Sequence, residues 1–129
     1  MRLFLDTHIF LWFLNGDPQL SRQFCAEIKD PNNNIFLSVA SIWEAIIKYQ
    51  LGKLSFPQSP EIYLTKQRIR HQIDSLSIDE QSIAQLIKLP PLHRDPFDRL
   101  IICQAIQHDL TIITVDQKIL QYPIINVLN

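Results

Sequence analysis

The sequence predicts an α/β fold of parallel strands joined by helical crossovers. Short, continuous apolar runs alternate with longer stretches of helical periodicity, and that alternation is the pattern of strands returned to register by helices. The runs also lack the in-and-out alternation of a sheet with one wet face, so both faces are expected to be covered. With 129 residues, 47% of them hydrophobic, the chain suits a single domain over 1–129 with a sizeable core.

The elements follow in order. "RLFL" (2–5) is the first strand, and "THIFLWFLN" (7–15) and "DPQLSRQFCAEIKD" (17–30) are the helices after it. "IFLSV" (35–39) is the second strand, followed by a helix in "SIWEAIIKYQLGKL" that ends at Gly52, a C-cap residue. "GKLSFPQSP" (52–60) is a loop, and a weaker amphipathic helix occupies about 59–71. "IDSL" (73–76) is the third strand, with a helix over 79–88. "LPPLHRDP" (89–96) is extended, because residues before proline are pushed out of the α region. "PFDRLIICQAIQH" (96–108) is a helix, and "TIIT" (111–114) and "IINVL" (124–128) complete the strands. There is no internal repeat and no low-complexity tract.

Cys25 and Cys103 lie in apolar helical stretches without a CxxC pair or histidine cluster, which predicts free thiols in a reducing compartment. No signal-peptide pattern precedes the first strand, and no apolar run approaches the ~20 residues of a membrane span. A cytoplasmic protein is expected.

Four acids recur at one kind of position. Asp6 follows the first strand directly, and Asp116 follows "TIITV". Glu44 falls in the first turn of the helix after the second strand, and Asp98 in the first turn of the helix that feeds the fourth. In open α/β sheets, ligands bind at the carboxyl ends of the strands. Each acid alone has an ordinary explanation. Ser41 and Glu44 fit a capping box, Asp95-Pro-Phe-Asp98 fits an N-cap followed by proline, and Asp6 and Asp116 suit N-caps. Capping does not explain the set, since Ser, Thr or Asn would serve equally well. If strands one, two and four are neighbours, the carboxylates converge, and such a cluster must share protons or bind a cation. Oxygen ligands without His or Cys select hard ions such as Mg²⁺ or Mn²⁺.

The segments "LDTH" (5–8), "SVASIWEAIIKYQLGKL" (38–54), "HRDPFDRLIICQAI" (93–106) and "TIITVD" (111–116) closely resemble PIN-domain proteins of the VapC toxin type. The resemblance implies a three-layer α/β/α fold with a five-stranded parallel sheet in the order 3-2-1-4-5. It implies a Mg²⁺- or Mn²⁺-dependent endoribonuclease whose acidic quartet is Asp6, Glu44, Asp98 and Asp116, with Thr114 as a polar residue that holds the site. It further implies a homodimer and a cognate antitoxin. Asp95 rivals Asp98 and is assigned the cap. "TVDQKI" lacks the second acid many relatives carry, which predicts a weaker second metal.

Twelve basic and 13 acidic residues give a net charge of -1, unlike the basic balance usual for nucleic-acid binders. Setting the four acids aside leaves 9 against 12, a balance of +3 over the remaining surface. RNA phosphates could meet Arg94, Arg99, Lys48 or Lys53, whereas "KQRIRH" (66–71) is taken as a solvated helix face. His8 is assigned to the helix face beside Asp6, and His93 is divided between a loop role and substrate contact. Phe10, Trp12, Phe13 and Trp43 are assigned to the core. Ile62, Tyr63 and Ile69 exceed what a small core can bury and suit a dimer or partner surface.

Other strand-then-Asp folds fit less well. A haloacid dehalogenase phosphatase needs a second Asp where His8 stands, and a receiver module needs adjacent acids after the first strand. The remaining alternative is a catalytically silent PIN-fold module that binds RNA or protein.

Overall fold

The computed structural model describes residues 1–123 and 125–128. Its chain order is β1 (Arg2–Leu5), α1 (Thr7–Asn15), α2 (Arg22–Lys29), β2 (Asn34–Ser38), α3 (Val39–Gln50), α4 (Pro60–Arg70) and β3 (Ile73–Leu76). Then come α5 (Glu80–Ala84), a 3-10 turn (Gln85–Lys88), α6 (Pro96–His108), β4 (Thr111–Ile113), α7 (Gln117–Leu120) and β5 (Asn126–Val127). The five strands form one sheet in the order β3-β2-β1-β4-β5, with every pair parallel, as the resemblance implies. Of the expected fifth strand, Ile124 lies outside the described residues, as does Asn129.

Consecutive residues of β1 point to opposite faces, and both faces are dry. Leu3 and Leu5 pack with Ile9, Phe10 and Leu64 on one side, while Phe4 packs with Ile101, Ile102 and Ile112 on the other. This two-sided burial is why the strand sequences are continuously apolar. Each such side chain contributes on the order of 1.5–3 kcal/mol on leaving water.

Register then aligns the carboxyl ends of three strands. Leu5 pairs with Leu37 on β2 and with Ile113 on β4, so Asp6, Ser38 and Thr114 emerge side by side at one edge of the sheet. The Asp6 amide extends the ladder by donating to the Ile113 carbonyl at 3.1 Å.

Several helix starts differ from expectation. Ser38, not Ser41, caps α3, its Oγ accepting from the Ala40 amide at 3.0 Å. Val39 therefore begins the helix instead of ending the strand, and Glu44 sits in the second turn. Ser41 lies inside the helix, where its Oγ accepts from Thr7 Oγ1 at 2.8 Å. The helix α2 starts only at Arg22, because Ser21 Oγ captures the Phe24 amide. The 79–88 segment tightens into a 3-10 turn after Ala84. Gly52 does end α3, at φ +76°, a conformation that strains other residues.

The aromatic assignments divide. Phe10 is in the core, and Trp12 and Phe13 are partly buried against it. Trp43 is 55% exposed, which overturns its assignment to the core. The buried stripe of α3 is Ala40, Ser41, Glu44 and Ala45, and Trp43 falls beside it, with its ring edge-on to Phe97 at 4.8 Å. Ile62 and Ile69 are exposed as expected, and Tyr63 stacks on Phe56, which stacks on Tyr49. Both cysteines are free, and burial pushes the Cys103 thiol up to about 11. Among the described residues, no helix is long and apolar enough to cross a membrane.

Candidate active site

Asp6 occupies the N-cap position of α1, yet its carboxylate caps nothing. Oδ2 instead accepts from Thr114 Oγ1 at 2.7 Å, and Oδ1 is buried without a hydrogen-bond partner. The residue is 2% exposed. Burial, the largest cause, raises its carboxyl above the ordinary value, against the lowering effect of the Thr114 hydroxyl. Thr114 is held in turn, because its Oγ1 accepts from the Asp116 amide at 3.0 Å.

Glu44 enters from α3. Its Oε2 meets Lys48 Nζ at 3.2 Å, one turn along the helix, while Oε1 is buried and unpartnered. Leaving a buried acceptor unsatisfied costs about 1–3 kcal/mol, and more when it is charged. Native proteins rarely tolerate this without a functional reason. Of the buried side-chain atoms without a partner among the described residues, which also include Ser82 Oγ, these two are carboxylate oxygens, the ligand type that hard divalent cations take.

Asp98 enters from the first turn of α6 and is 8% exposed. Its carboxyl is pushed up to about 8, first by burial and then by the negative charges of Asp6, Asp95, Glu44 and Asp116. Among the described residues, the groups whose ligand atoms come within 4.8 Å of one another are His93, Asp98 and Asp116, a set that does not include Asp6 or Glu44. The charges of those two acids still reach Asp98 and raise its carboxyl. Asp116 divides its two oxygens. Oδ1 caps α7 through the Lys118 and Ile119 amides, and Oδ2 lies 3.4 Å from His93 Nε2. Asp95 has the cap role expected of it, accepting from the Phe97 and Asp98 amides.

His93 is the residue that sequence reasoning underplayed. It is buried rather than free in a loop, and its Nε2 stands 2.9 Å from Asp98 Oδ2. The available signal was spacing, since His93 precedes the Asp95-Pro96 helix start by two residues and a turn there folds it back on Asp98. Gln104 was missed outright. From the buried face of α6 its Nε2 reaches the Ser77 carbonyl at 3.1 Å, and its Oε1 accepts from Ser38 Oγ. These bonds tie α6 to the sheet edge that carries Asp6.

The basic residues are less available than their spacing implies. Lys48 is engaged by Glu44. Arg99 Nη1 donates to the Pro90 and His93 carbonyls and so ties the 90–95 loop instead of facing solvent. Arg94 and Lys53 are exposed. In "KQRIRH", Arg68 donates to the Ile73 carbonyl at 2.7 Å, a structural role. His8 is exposed on α1, 6.1 Å from the Trp12 ring, and its charge lowers the Asp6 carboxyl.

Residues 3–125 match the PIN domain family. Ribonuclease VapC16 of Mycobacterium tuberculosis is 39% identical over 59 residues, a segment covering 46% of this chain and 42% of that protein. The match thus spans less than half the length of that relative. Among solved structures, VapBC2 from Rickettsia felis, bound to a promoter DNA fragment, superposes with a TM-score of 0.70 at 20% identity, covering 100% of this chain and 98% of the other. VapBC-1 from nontypeable Haemophilus influenzae gives 0.66 at 20% identity over 100% and 98%. These superpositions speak to the fold, and the family match spans nearly all of the sequence from which the sheet and the acidic cleft are built. The chain belongs to the PIN domain family.

Proposed function

We propose that this chain is a metal-dependent endoribonuclease that hydrolyses RNA phosphodiester bonds and is the toxin of a toxin–antitoxin pair. The observation that carries this reading is the pair of partnerless buried oxygens, Asp6 Oδ1 and Glu44 Oε1, in the cleft whose charge reaches Asp98. The ribonuclease name of the VapC16 relative and the VapBC complexes among the structural neighbours support it.

In this reading Asp6, Glu44, Asp98 and Asp116 hold Mg²⁺ or Mn²⁺, which supplies charge stabilisation and an activated water for phosphoryl chemistry. Thr114 aims the Asp6 carboxylate by its hydrogen bond to Oδ2. Lys48 balances Glu44 when no cation is present. Arg94 and Lys53 attract the phosphate backbone, and the exposed ring of Trp43 offers a stacking face to an unpaired base. The exposed Ile62 and Ile69 serve a homodimer or antitoxin contact. The protein acts as a single domain in the cytoplasm.

The test is cleavage of structured and single-stranded RNA with Mg²⁺, Mn²⁺ or EDTA, beside Asp6→Asn. Metal-dependent cleavage absent from the variant supports the enzyme. RNA binding with no metal-dependent cleavage would favour the silent module, and equal cleavage by both proteins would reveal a contaminant and refute the proposal for this chain.

A further inference from the structure

We infer that His93 is a positioning residue, which fixes Asp98 through an Nε2–H donor and does not itself ligate the cation. The inference rests on the metal-centre reading above. Distance alone admits the opposite role, because His93, Asp98 and Asp116 present potential ligand atoms within 4.8 Å of one another. Such a cluster could pass for a mixed nitrogen and oxygen metal site.

The other ring nitrogen decides between the two roles. His93 Nδ1 accepts from the Asp95 amide at 3.2 Å, so it presents a lone pair there and the neutral ring keeps its hydrogen on Nε2. This tautomer is assigned from the hydrogen-bond network. A histidine that ligates a metal through Nε2 almost always donates from Nδ1 to a carboxylate, a carbonyl or water. Here Nδ1 faces a backbone donor instead. Ligation through Nε2 would leave the ring no place for its hydrogen except against the Asp95 N–H.

As a donor, by contrast, the ring is satisfied at both ends. Nε2–H meets Asp98 Oδ2 at 2.9 Å, with Asp116 Oδ2 at 3.4 Å. The backbone is pinned as well: the His93 amide donates to Tyr122 Oη at 3.0 Å, and that hydroxyl donates to the Pro90 carbonyl at 2.7 Å. Asp95 serves both partners of the His93–Asp98 bond, because its amide orients the imidazole while its carboxylate caps the helix that presents Asp98. The result is an Asp98 whose Oδ2 is held in place by the imidazole.

The test combines a tautomer measurement with metal binding. Imidazole ¹⁵N shifts are read in the metal-free and Mg²⁺-loaded protein, and Mn²⁺ binding is followed by titration and pulsed EPR in native, His93→Ala and His93→Gln proteins. The proton is expected on Nε2 in both NMR samples, and the EPR is expected to show no directly coordinated nitrogen. His93→Ala should weaken Mn²⁺ binding by about 10–100-fold. His93→Gln, which keeps an N–H donor, should recover most of the loss, and it carries the comparison if the alanine variant fails to fold. A proton on Nδ1, or a coordinated-nitrogen signal that disappears in His93→Gln, would overturn the inference in favour of ligation. Unchanged affinity in His93→Ala, or no recovery by glutamine in a folded protein, would also overturn it. Each of these outcomes leaves the metal centre itself standing, whereas a native protein that binds no Mn²⁺ would remove both.

Discussion

Thr114 Oγ1 donates to Asp6 Oδ2 at 2.7 Å, joining the ends of β1 and β4 across 108 positions of sequence. The Asp6 carboxylate makes no cap to α1, and Oδ1 is left buried without a partner. Thr114→Val should therefore remove the donor and strand a second buried oxygen. A loss of about 1–3 kcal/mol in urea unfolding is expected, together with weaker Mn²⁺ binding. Thr114→Ser should behave much more like the native protein in both measurements.

Asp98 makes stability depend on pH. An unfolded chain releases this proton near the ordinary value of 3.8, whereas the folded protein holds it up to about 8. Between those values the native state binds more protons, so stability falls as pH rises through this window. Metal-free protein should accordingly melt at a lower temperature at pH 8 than at pH 5. Asp98→Asn should flatten that dependence and raise the pH 8 melting temperature, while abolishing the further rise that Mg²⁺ gives the native protein. A steep pH dependence that survives the substitution would assign the effect to other groups.

Lys48 competes with a cation for Glu44. Glu44 is buried and Lys48 only partly exposed, so Lys48→Met strands a second buried carboxylate oxygen and should cost metal-free protein about 1–3 kcal/mol. Mn²⁺ binding should tighten a few-fold, as measured by calorimetric titration. Weaker binding would mean that Lys48 supports the site rather than neutralising it.

Trp43 and Phe10 separate substrate contact from packing. Phe10 is fully buried, and Phe10→Ala should cost about 3–5 kcal/mol. Trp43→Ala, at an exposed position, should cost under about 1 kcal/mol yet weaken RNA binding, because base stacking on an aromatic is worth about 1–3 kcal/mol. Unfolding curves and filter binding with uncleavable RNA measure the two effects.

The parts of the fold legible in the sequence are those set by burial. Leu3, Phe4 and Leu5 announce a strand covered on both sides, and Pro96 after Asp95 marks a helix start that the structure reproduces at the same residue. The placement of Asp6 at the end of β1 and of Asp98 in the first turn of α6 is legible for the same reason, since each follows a strand or a proline-marked helix start, whereas Glu44 lies a turn deeper in α3 than its spacing implies. Junctions were less legible. Val39 is β-branched and follows a strand, so local preference placed it there until the Ser38 side chain captured the Ala40 amide. Trp43 stands at helical spacing in an apolar run, the pattern of a core residue, whereas the buried stripe of α3 is Ala40, Ser41, Glu44 and Ala45 and leaves its ring exposed. Gln104 acts through Ser38, 66 positions away in sequence, and no local pattern reports such a contact; for His93 the spacing to Asp95-Pro96 hints at its bond to Asp98 but not at the approach of Asp116.

The central claim is that Asp6, Glu44 and Asp98 surround one divalent cation. Anomalous diffraction from crystals grown with Mn²⁺ tests it directly. A manganese peak at coordination distance from Asp6 Oδ1 and Glu44 Oε1, with Asp98 completing the set, is the predicted result. Well-ordered side chains with no peak between them, or manganese bound only elsewhere, would contradict it.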